Sequence, residues 1–338
     1  MWNTLGHKKA MALFQGSLAR GGFAHAYLLV GPAHVGKMTL ARELACALNC
    51  ESDQPPCGEC SSCRRIGSGK HSDVQEIGLG KYQGQAKSQT EIGIEEIRQI
   101  QHSANLPPFE GKRKVFIIDG AELLSIEAAN CLLKTLEEPS ASVVFILLTI
   151  NEQLVPATVV SRCQPIELAP LPPGEVESAL LERWNVAPGR ARLLARLSHG
   201  CLGWAVAAND DDSLGGRAER LDELVNIIDG DNEARFACAA ELATEFGKSR
   251  EAAQDRLNLW LDWWRDLMLV RSGLADLTTN VDRMDTLSRM AQDFSLTQIR
   301  SAIESIRLAG EHLKLNANPR LTLEVLMLGL PDAAEART

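Results

Sequence analysis

The chain has 338 residues, of which 45% are hydrophobic and 23% charged, and a formal net charge of −9. This length allows two or three domains, and the composition is ordinary for a soluble globular protein. The negative charge argues against a chain that binds DNA alone through a broad basic surface. No apolar run approaches the roughly 20 residues of a membrane helix, and the N-terminus lacks the apolar core of a signal peptide. We therefore predict a cytoplasmic protein without membrane partners, in which cysteines serve as thiols or metal ligands.

A glycine-rich stretch at residues 31–39 follows a short apolar run and precedes a helical pattern. The apolar run, residues 26–30, predicts a buried strand. With Gly31, Gly36 and Lys37 at their spacing, this order of strand, turn and helix predicts a phosphate-binding P-loop. Backbone N–H groups would cradle phosphate oxygens, and Lys37 would reach the β and γ phosphates of a nucleotide. The alternative is a glycine turn that persists as architecture without nucleotide.

The loop departs from the usual P-loop pattern at Met38. A Ser or Thr hydroxyl normally holds Mg²⁺ at this position, and a thioether is a poor ligand for so hard an ion. Thr39 lies one residue beyond this position, and we expect its side chain to point away from the magnesium site. The sequence therefore leaves binding of ATP and Mg²⁺ open, and it favours a chain that does not hydrolyse ATP productively.

Four cysteines follow the P-loop helix within one short segment: Cys50, Cys57, Cys60 and Cys63. Overlapping Cys-x₂-Cys pairs can supply four thiolates to a closed tetrahedral zinc site. We predict structural zinc here, because the segment offers no open coordination position. The alternatives are free thiols or a redox pair. Cys46 is the rival first ligand, but it lies in the helical pattern and is expected in the core.

An apolar, β-branched run ends in acidic residues at Asp119 and Glu122. Downstream of a P-loop this pattern is typical of a Walker B strand, in which Asp119 holds magnesium through water and Glu122 orients attacking water. The alternative is an ordinary buried strand with an acidic cap. A further buried strand, residues 143–149, ends at Thr149. Because open α/β sheets bind ligands at the carboxyl ends of strands, we expect Thr149 to face the phosphates.

Helical patterns surround these strands. The sequence predicts helices from about Lys8 to Arg20, from near Gly93 to Ala104, and from Ala128 to a stop at Pro139. Beyond them lies a helical second half, with breaks expected at Gly230, Gly247, Gly273 and Pro319. Three tryptophans fall on one helix of that half: Trp260, Trp263 and Trp264. We predict that they are buried core, with an interface anchor as the alternative.

Four pieces of the first half form a specific set: His25-Ala-Tyr-Leu, Leu48-Asn-Cys50 through Cys63, Ala129 to Pro139, and Ser161-Arg162-Cys163. Together they resemble the clamp-loader subunits of bacterial DNA polymerase III, in the AAA+ ATPase superfamily. The resemblance implies an α/β P-loop AAA+ domain, with a parallel sheet flanked by helices and a zinc loop. A small helical lid and an all-α collar that packs subunits together would follow.

The domain boundaries follow from this resemblance and from the proline-rich stretch at residues 168–173. We predict the AAA+ domain at residues 1–168, with its zinc module at 50–63. The lid would occupy residues 169–209 and the collar residues 210–338.

Two subunit types of the family share these features. The gamma/tau subunit is the ATPase motor, and the delta-prime subunit is a stator that often has a degraded P-loop. Met38 favours the delta-prime type, as does Gly203 where the motor carries a sensor-2 arginine. The chain also stops without the long extension of a tau subunit. Lys37, Asp119 and Glu122 are intact, so nucleotide binding without turnover is an intermediate interpretation, with Glu122 vestigial, and a motor hydrolysing its own ATP is the alternative.

The resemblance assigns Arg162 a catalytic role in trans. In this family the arginine of the Ser-Arg-Cys triplet reaches the ATP bound by the neighbouring subunit, where a guanidinium fork meets the charge of the γ-phosphate. The resemblance also implies a hetero-oligomer with gamma/tau and delta subunits that places the sliding clamp on primed DNA. Such a chain belongs to the DNA polymerase holoenzyme without having a polymerase site. A zinc-dependent DNA-binding module acting alone is a third hypothesis, disfavoured by the net charge.

Overall fold

A computed structural model describes residues 2–79, 90–210, 214–315 and 317–331 of the chain. The sequence also predicts a loop in the polar stretch 78–90, an acidic linker at 210–216 and a frayed tail near Ala334. Most of the loop, part of the linker and the tail lie outside the described residues. The chain forms two compact units. The first unit comprises Met1–Ala179 and His199–Trp204, and the second comprises Leu180–Ser198 and Ala205–Thr338.

The first unit is built on a five-stranded parallel sheet with the strand order β2-β3-β4-β1-β5. The strands are β1 (Ala26–Val30), β2 (Val74–Ile77), β3 (Lys114–Asp119), β4 (Val143–Thr149) and β5 (Gln164–Glu167). The three central strands are apolar and nearly fully buried, because helices cover both faces of a parallel sheet. The predicted parallel sheet is confirmed. The short edge strands β2 and β5 were not predicted, because polar residues interrupt their apolar pattern.

Six helices cover the two faces of the sheet: α1 (Lys8–Arg20), α2 (Lys37–Asn49), α3 (Ser61–Gly67), α4 (Ile94–Ala104), α5 (Ile126–Glu137) and α6 (Ala157–Val160). Alternate residues of β1 face opposite layers, as the pleat requires. Leu28 packs into the cluster that includes residues of α4 and α5, whereas Tyr27 and Leu29 pack into the cluster that includes residues of α1 and α2. The predicted helix start near Gly93 is confirmed, since Gly93 is the N-cap of α4.

The carboxyl ends of the central strands meet at one edge of the sheet. Val30 of β1 pairs with Thr149 of β4, and Asp119 of β3 pairs with Leu148 of β4. The loop that follows β1 continues this pairing, because the N–H of Gly31 donates to the carbonyl oxygen of Thr149. The segments predicted as the P-loop and as the Walker B strand therefore end at the same edge of the sheet.

The rest of the chain is helical: α7 (Pro173–Trp184), α8 (Pro188–Leu197), α9 (Leu202–Asp210), α10 (Gly215–Asp229), α11 (Asn232–Lys248), α12 (Arg250–Arg271), α13 (Met284–Asp293), α14 (Leu296–Lys314) and α15 (Pro319–Gly329). One hydrophobic cluster unites α10 to α15 in the second unit. Its members include three tryptophans that are at most 1% exposed, which confirms their prediction as core: Trp260, Trp263 and Trp264. No described helix is long and apolar enough to cross a membrane.

The helix breaks follow the predicted positions with one exception. Gly230 and Gly273 lie just beyond helix ends, and Pro319 is the first residue of α15. The break predicted at Gly247 is wrong, because α11 continues through Gly247 to Lys248. The chain breaks at Ser249 instead, whose extended backbone and side-chain hydrogen bond to the N–H of Ala252 start α12.

Candidate functional site

The loop after β1 and the carboxyl ends of β3 and β4 border a cavity of about 410 Å³. Its lining contains nearly all the residues that the sequence predicted for nucleotide binding: Gly36, Lys37, Met38, Thr39, Asp119, Glu122 and Thr149. Thr39 borders the cavity although we expected it to point elsewhere. The segment predicted as a P-loop, the strand predicted as Walker B and the end of a third strand therefore border one space.

The shape of the loop requires glycine at two positions. A Cβ atom at Gly31 would lie 2.5 Å from the carbonyl oxygen of Leu168, so the loop passes too close to that backbone for any side chain. Gly36 has a φ of 109°, in the left-handed region that favours glycine. His34 has a φ of 60° and adopts this region without being glycine.

The Lys37 side chain is buried and bonded to its own loop. Its Nζ donates to the carbonyl oxygens of Gly31 at 2.5 Å and Pro32 at 2.7 Å. Burial lowers the pKa of Lys37, and the charges of Glu122 and Asp119 oppose this shift. The ammonium group therefore has main-chain partners that a phosphate would have to replace.

The acidic and hydroxyl groups of the cavity differ in how they are satisfied. Glu122 lies in a short 3₁₀ turn, Ala121–Leu123, and its Oε2 is buried with no hydrogen-bond partner among the described residues. The Thr149 hydroxyl donates to the carbonyl oxygen of Asn151 and accepts from the N–H of Asn151. Thr149 thus shapes the turn after β4, while Glu122 presents an unsatisfied carboxylate oxygen at the cavity.

Gly203, at the start of α9, closes one side of the cavity within the first unit. Its N–H donates to the carbonyl oxygen of His34 at 3.0 Å. A Cβ atom at Gly203 would lie 2.8 Å from that oxygen. An arginine in place of Gly203 would therefore require the P-loop or α9 to shift.

Arg162 does not line this cavity. It follows α6 and borders a separate cavity of about 690 Å³, with Glu137 and His25. Its guanidinium donates to the carbonyl oxygen of Thr158 at 2.9 Å, to the hydroxyl of Ser161 at 3.1 Å and to Oε1 of Glu137 at 2.6 Å. The Arg162 side chain is 34% exposed. Two of the four sequence pieces that carry the resemblance, Ala129 to Pro139 and Ser161 to Cys163, are therefore in contact.

The sulfur atoms of the four predicted zinc ligands lie within 4.8 Å of one another: Cys50, Cys57, Cys60 and Cys63. Four backbone N–H groups of the segment donate to these sulfurs at 3.3 to 3.4 Å. Hydrogen bonds of this kind lower the pKa of Cys57 to about 6, and the bond donated by the backbone N–H of Cys60 has the largest effect. Burial raises the pKa of the Cys46 thiol to about 11, and Cys46 is not part of the cluster. The donor set fits a closed site for a thiophilic metal ion.

Asp73 was missed by sequence analysis because a single aspartate carries no motif. Its buried carboxylate accepts backbone N–H bonds from Phe109 and Glu110 at 2.8 Å and from Gly111 at 2.7 Å. Burial raises the pKa of Asp73, but the three hydrogen bonds outweigh it and lower the pKa overall. Asp73 thus fixes the loop that leads from α4 into the Walker B strand.

Comparison with known proteins identifies relatives along the whole chain. Residues 6–172 match the family described as "DNA polymerase III, delta subunit". The delta' subunit of DNA polymerase III from Bacillus subtilis is 28% identical, over 96% of this chain and 96% of that protein. The tau subunit from the same organism is 27% identical over 96% of this chain, and the Escherichia coli tau subunit is 34% identical over 68%.

The chain spans 60% of the Bacillus tau subunit and 35% of the Escherichia one. Among solved structures, a gamma subunit-related protein of DNA polymerase III from Thermotoga maritima aligns with 93% of this chain and 97% of its own, with 18% identity and a TM-score of 0.37. The sequence relatives show that the chain belongs to the family of DNA polymerase III clamp-loader subunits of the delta-prime, tau and gamma type, and its first unit has a five-stranded parallel sheet flanked by helices.

Proposed function

We propose that the chain is a delta-prime-type subunit of the clamp loader, a stator that supplies Arg162 to the ATP site of a neighbouring subunit. The observation that carries the proposal is the contrast, within the first unit, between the cavity beside the P-loop and the surroundings of Arg162. The cavity beside the P-loop has Met38 at the magnesium position and a lysine bonded to its own loop. Arg162 lies outside that cavity and is partly exposed, so that another subunit can approach it.

The P-loop cavity supports nucleotide binding better than turnover. Lys37, Asp119 and Glu122 are present to meet a nucleotide and Mg²⁺, but Met38 offers no hydroxyl to the ion. The close approach of Gly203 to the P-loop leaves no room for the arginine that a motor subunit carries there. We therefore infer that this chain does not hydrolyse ATP productively, even where nucleotide binds, and that Glu122 is vestigial.

The remaining parts of the proposal concern assembly. We propose that residues 169–209 form the lid and residues 210–338 the collar of a hetero-oligomer with gamma/tau and delta subunits. Helix α15 supports the collar role, because it exposes three apolar side chains at helical spacing, each about 60% exposed: Leu321, Val325 and Leu328. The assembly would load the sliding clamp onto primed DNA, and this replication role implies a cytoplasmic protein.

We also propose that the four-cysteine cluster holds zinc, which would supply a structural cross-link between the end of α2 and the start of α3. The four sulfurs offer a donor set of the kind that closed structural zinc sites use. Metal analysis of the purified chain tests this proposal. One zinc ion per chain is expected, and Cys60→Ser should lower that content, whereas Cys238→Ser, at a buried cysteine of the second unit, should not.

The experiment that tests the stator role is the ATPase rate of the reconstituted clamp loader. Arg162→Ala should slow ATP hydrolysis at least about a hundredfold at the dependent site, since arginine fingers contribute 10³ to 10⁵ in comparable reactions. Lys37→Ala in this chain should change the rate less than about twofold. An unchanged rate with Arg162→Ala would refute the proposal.

A second candidate is a motor subunit that hydrolyses its own ATP. The observation that favours it is that Lys37, Asp119 and Glu122 line one cavity, with an unsatisfied Glu122 oxygen. Magnesium-dependent ATPase activity of the purified chain alone, abolished by Lys37→Ala, would establish this function and displace the stator role.

A further inference from the structure

The carboxylate of Glu137 contacts the guanidinium that the proposed function directs to a neighbouring ATP. The distance from Arg162 Nη2 to Glu137 Oε1 is 2.6 Å. Glu137 is the last residue of α5, and Arg162 lies in the turn after α6. The pair therefore joins two separate elements of the first unit.

The three contacts of the guanidinium are of two kinds. The Nη1 nitrogen bonds to two uncharged oxygen atoms of its own short segment, those of Thr158 and Ser161. The Nη2 nitrogen bonds to the carboxylate of Glu137, which belongs to another helix. Of these three contacts only the last is an ion pair, so it is the contact that neutralises the charge of Arg162.

The charge of Glu137 is also what a phosphate would have to replace. A guanidinium paired with a carboxylate offers little net positive charge to a γ-phosphate, and a carboxylate and a phosphate on the same NH2 group repel each other. The Glu137 side chain is 47% exposed, so water can solvate it once Arg162 leaves. Exchange of the carboxylate for a phosphate therefore costs little free energy.

We propose that Glu137 is a positioning residue that holds Arg162 against its own subunit and that releases it when ATP occupies the neighbouring site. This inference rests on the trans role of Arg162 proposed above. Because exposed ion pairs are weak, the held state competes only modestly with the extended one. Glu137 thus affects the KM for ATP at the neighbouring site, whereas Arg162 affects the rate of hydrolysis there.

The test is steady-state ATPase activity of the reconstituted clamp loader as a function of ATP concentration. Glu137→Gln keeps the size and an oxygen acceptor but removes the charge. It should lower the KM for ATP about two- to fivefold and leave kcat unchanged, because less of the arginine is withheld from the phosphate. Glu138→Gln, which removes an adjacent exposed charge, is the matched control and should shift neither constant.

The double variant Glu137→Gln/Arg162→Ala separates this inference from the proposed function. If Arg162 carries the effect, Glu137→Gln lowers the KM only when Arg162 is present. A clamp loader in which Arg162→Ala slows hydrolysis but Glu137→Gln leaves the KM unchanged, or lowers kcat, would overturn the holding role and leave the finger intact. If Arg162→Ala itself has no effect on hydrolysis, the proposed function is refuted, and the holding role that rests on it is refuted with it. Circular dichroism of each variant chain verifies that the overall helix content is retained.

Discussion

Two arginines of this chain differ in burial and in the kind of group to which their guanidinium donates. Arg235, in the second unit, is 5% exposed and donates to five main-chain carbonyl oxygens near the ends of α10 and α15: Ile227, Ile228, Met327, Leu330 and Pro331. Arg162, in the first unit, is 34% exposed and pairs with the side chain of Glu137. Main-chain carbonyls at helix ends cannot leave without unfolding, whereas a carboxylate can rotate into water.

This comparison distinguishes charged groups that stabilise the fold from charged groups that can bind another molecule. Asp73 belongs to the first kind, because its buried carboxylate is held by three main-chain N–H groups. Lys37 shares that character, since its ammonium donates to two main-chain carbonyls. Among these four charges, Arg162 alone depends on an exposed side-chain partner, which is why we assign the intersubunit role to it.

The strongest test of the comparison is Arg235→Met. The substitution leaves buried carbonyls of two helix ends without donors, so we expect the free energy of unfolding of the second unit to fall by about 3 kcal/mol. Urea unfolding followed by tryptophan fluorescence measures this loss, because three buried tryptophans lie in that unit. The control is Arg307→Met, at an exposed pair with Glu311, which should cost less than about 0.5 kcal/mol. Equal costs for the two variants would break the comparison.

Asp73→Asn tests the same principle in the first unit and adds a pH dependence. The variant should unfold with about 1 to 3 kcal/mol less stability at pH 7, because an amide replaces a charged acceptor of three N–H bonds. The folded pKa of Asp73 is lower than its unfolded value, so its stabilisation is complete well above about pH 4 and is lost as the pH falls through the folded pKa.

The measurement for Asp73 is urea unfolding at pH 7 and at pH 3. The difference between wild type and Asp73→Asn should shrink at the lower pH. Asp53→Asn, at an exposed aspartate near the cysteine cluster, should show neither the loss nor the pH dependence. A difference that grows on acidification would contradict the hydrogen-bond account.

Arg162→Met is expected to have the smallest effect on stability. Its lost ion pair is largely solvated, so the free energy of unfolding should change by less than about 0.5 kcal/mol. Thermal unfolding of the chain alone measures it, and the same variant should still slow the assembled clamp loader. A large loss of stability would place Arg162 with Arg235 among the charged groups that stabilise the fold.

Much of the site was predictable because its signals are local. The P-loop, the Walker B acids and the cysteine cluster each lie within one short segment, and the apolar strands beside them are continuous in sequence. Strands β2 and β5 and helices α3 and α6 were missed, because they are short and contain few apolar residues in register. The break after α11 was misplaced because a glycine in a last helical turn costs too little to end a helix.

Local sequence patterns predict the three central strands, most of the long helices and the chemical groups at the strand ends. The partners of the charged groups follow from the tertiary structure. Lys37 bonds to its own loop, Arg162 meets Glu137 from a helix 25 positions earlier, and Asp73 captures a loop 36 to 38 positions away. The reason is physical: periodicity records which face of an element is buried, whereas the choice of a hydrogen-bond partner depends on where separate elements come to lie together.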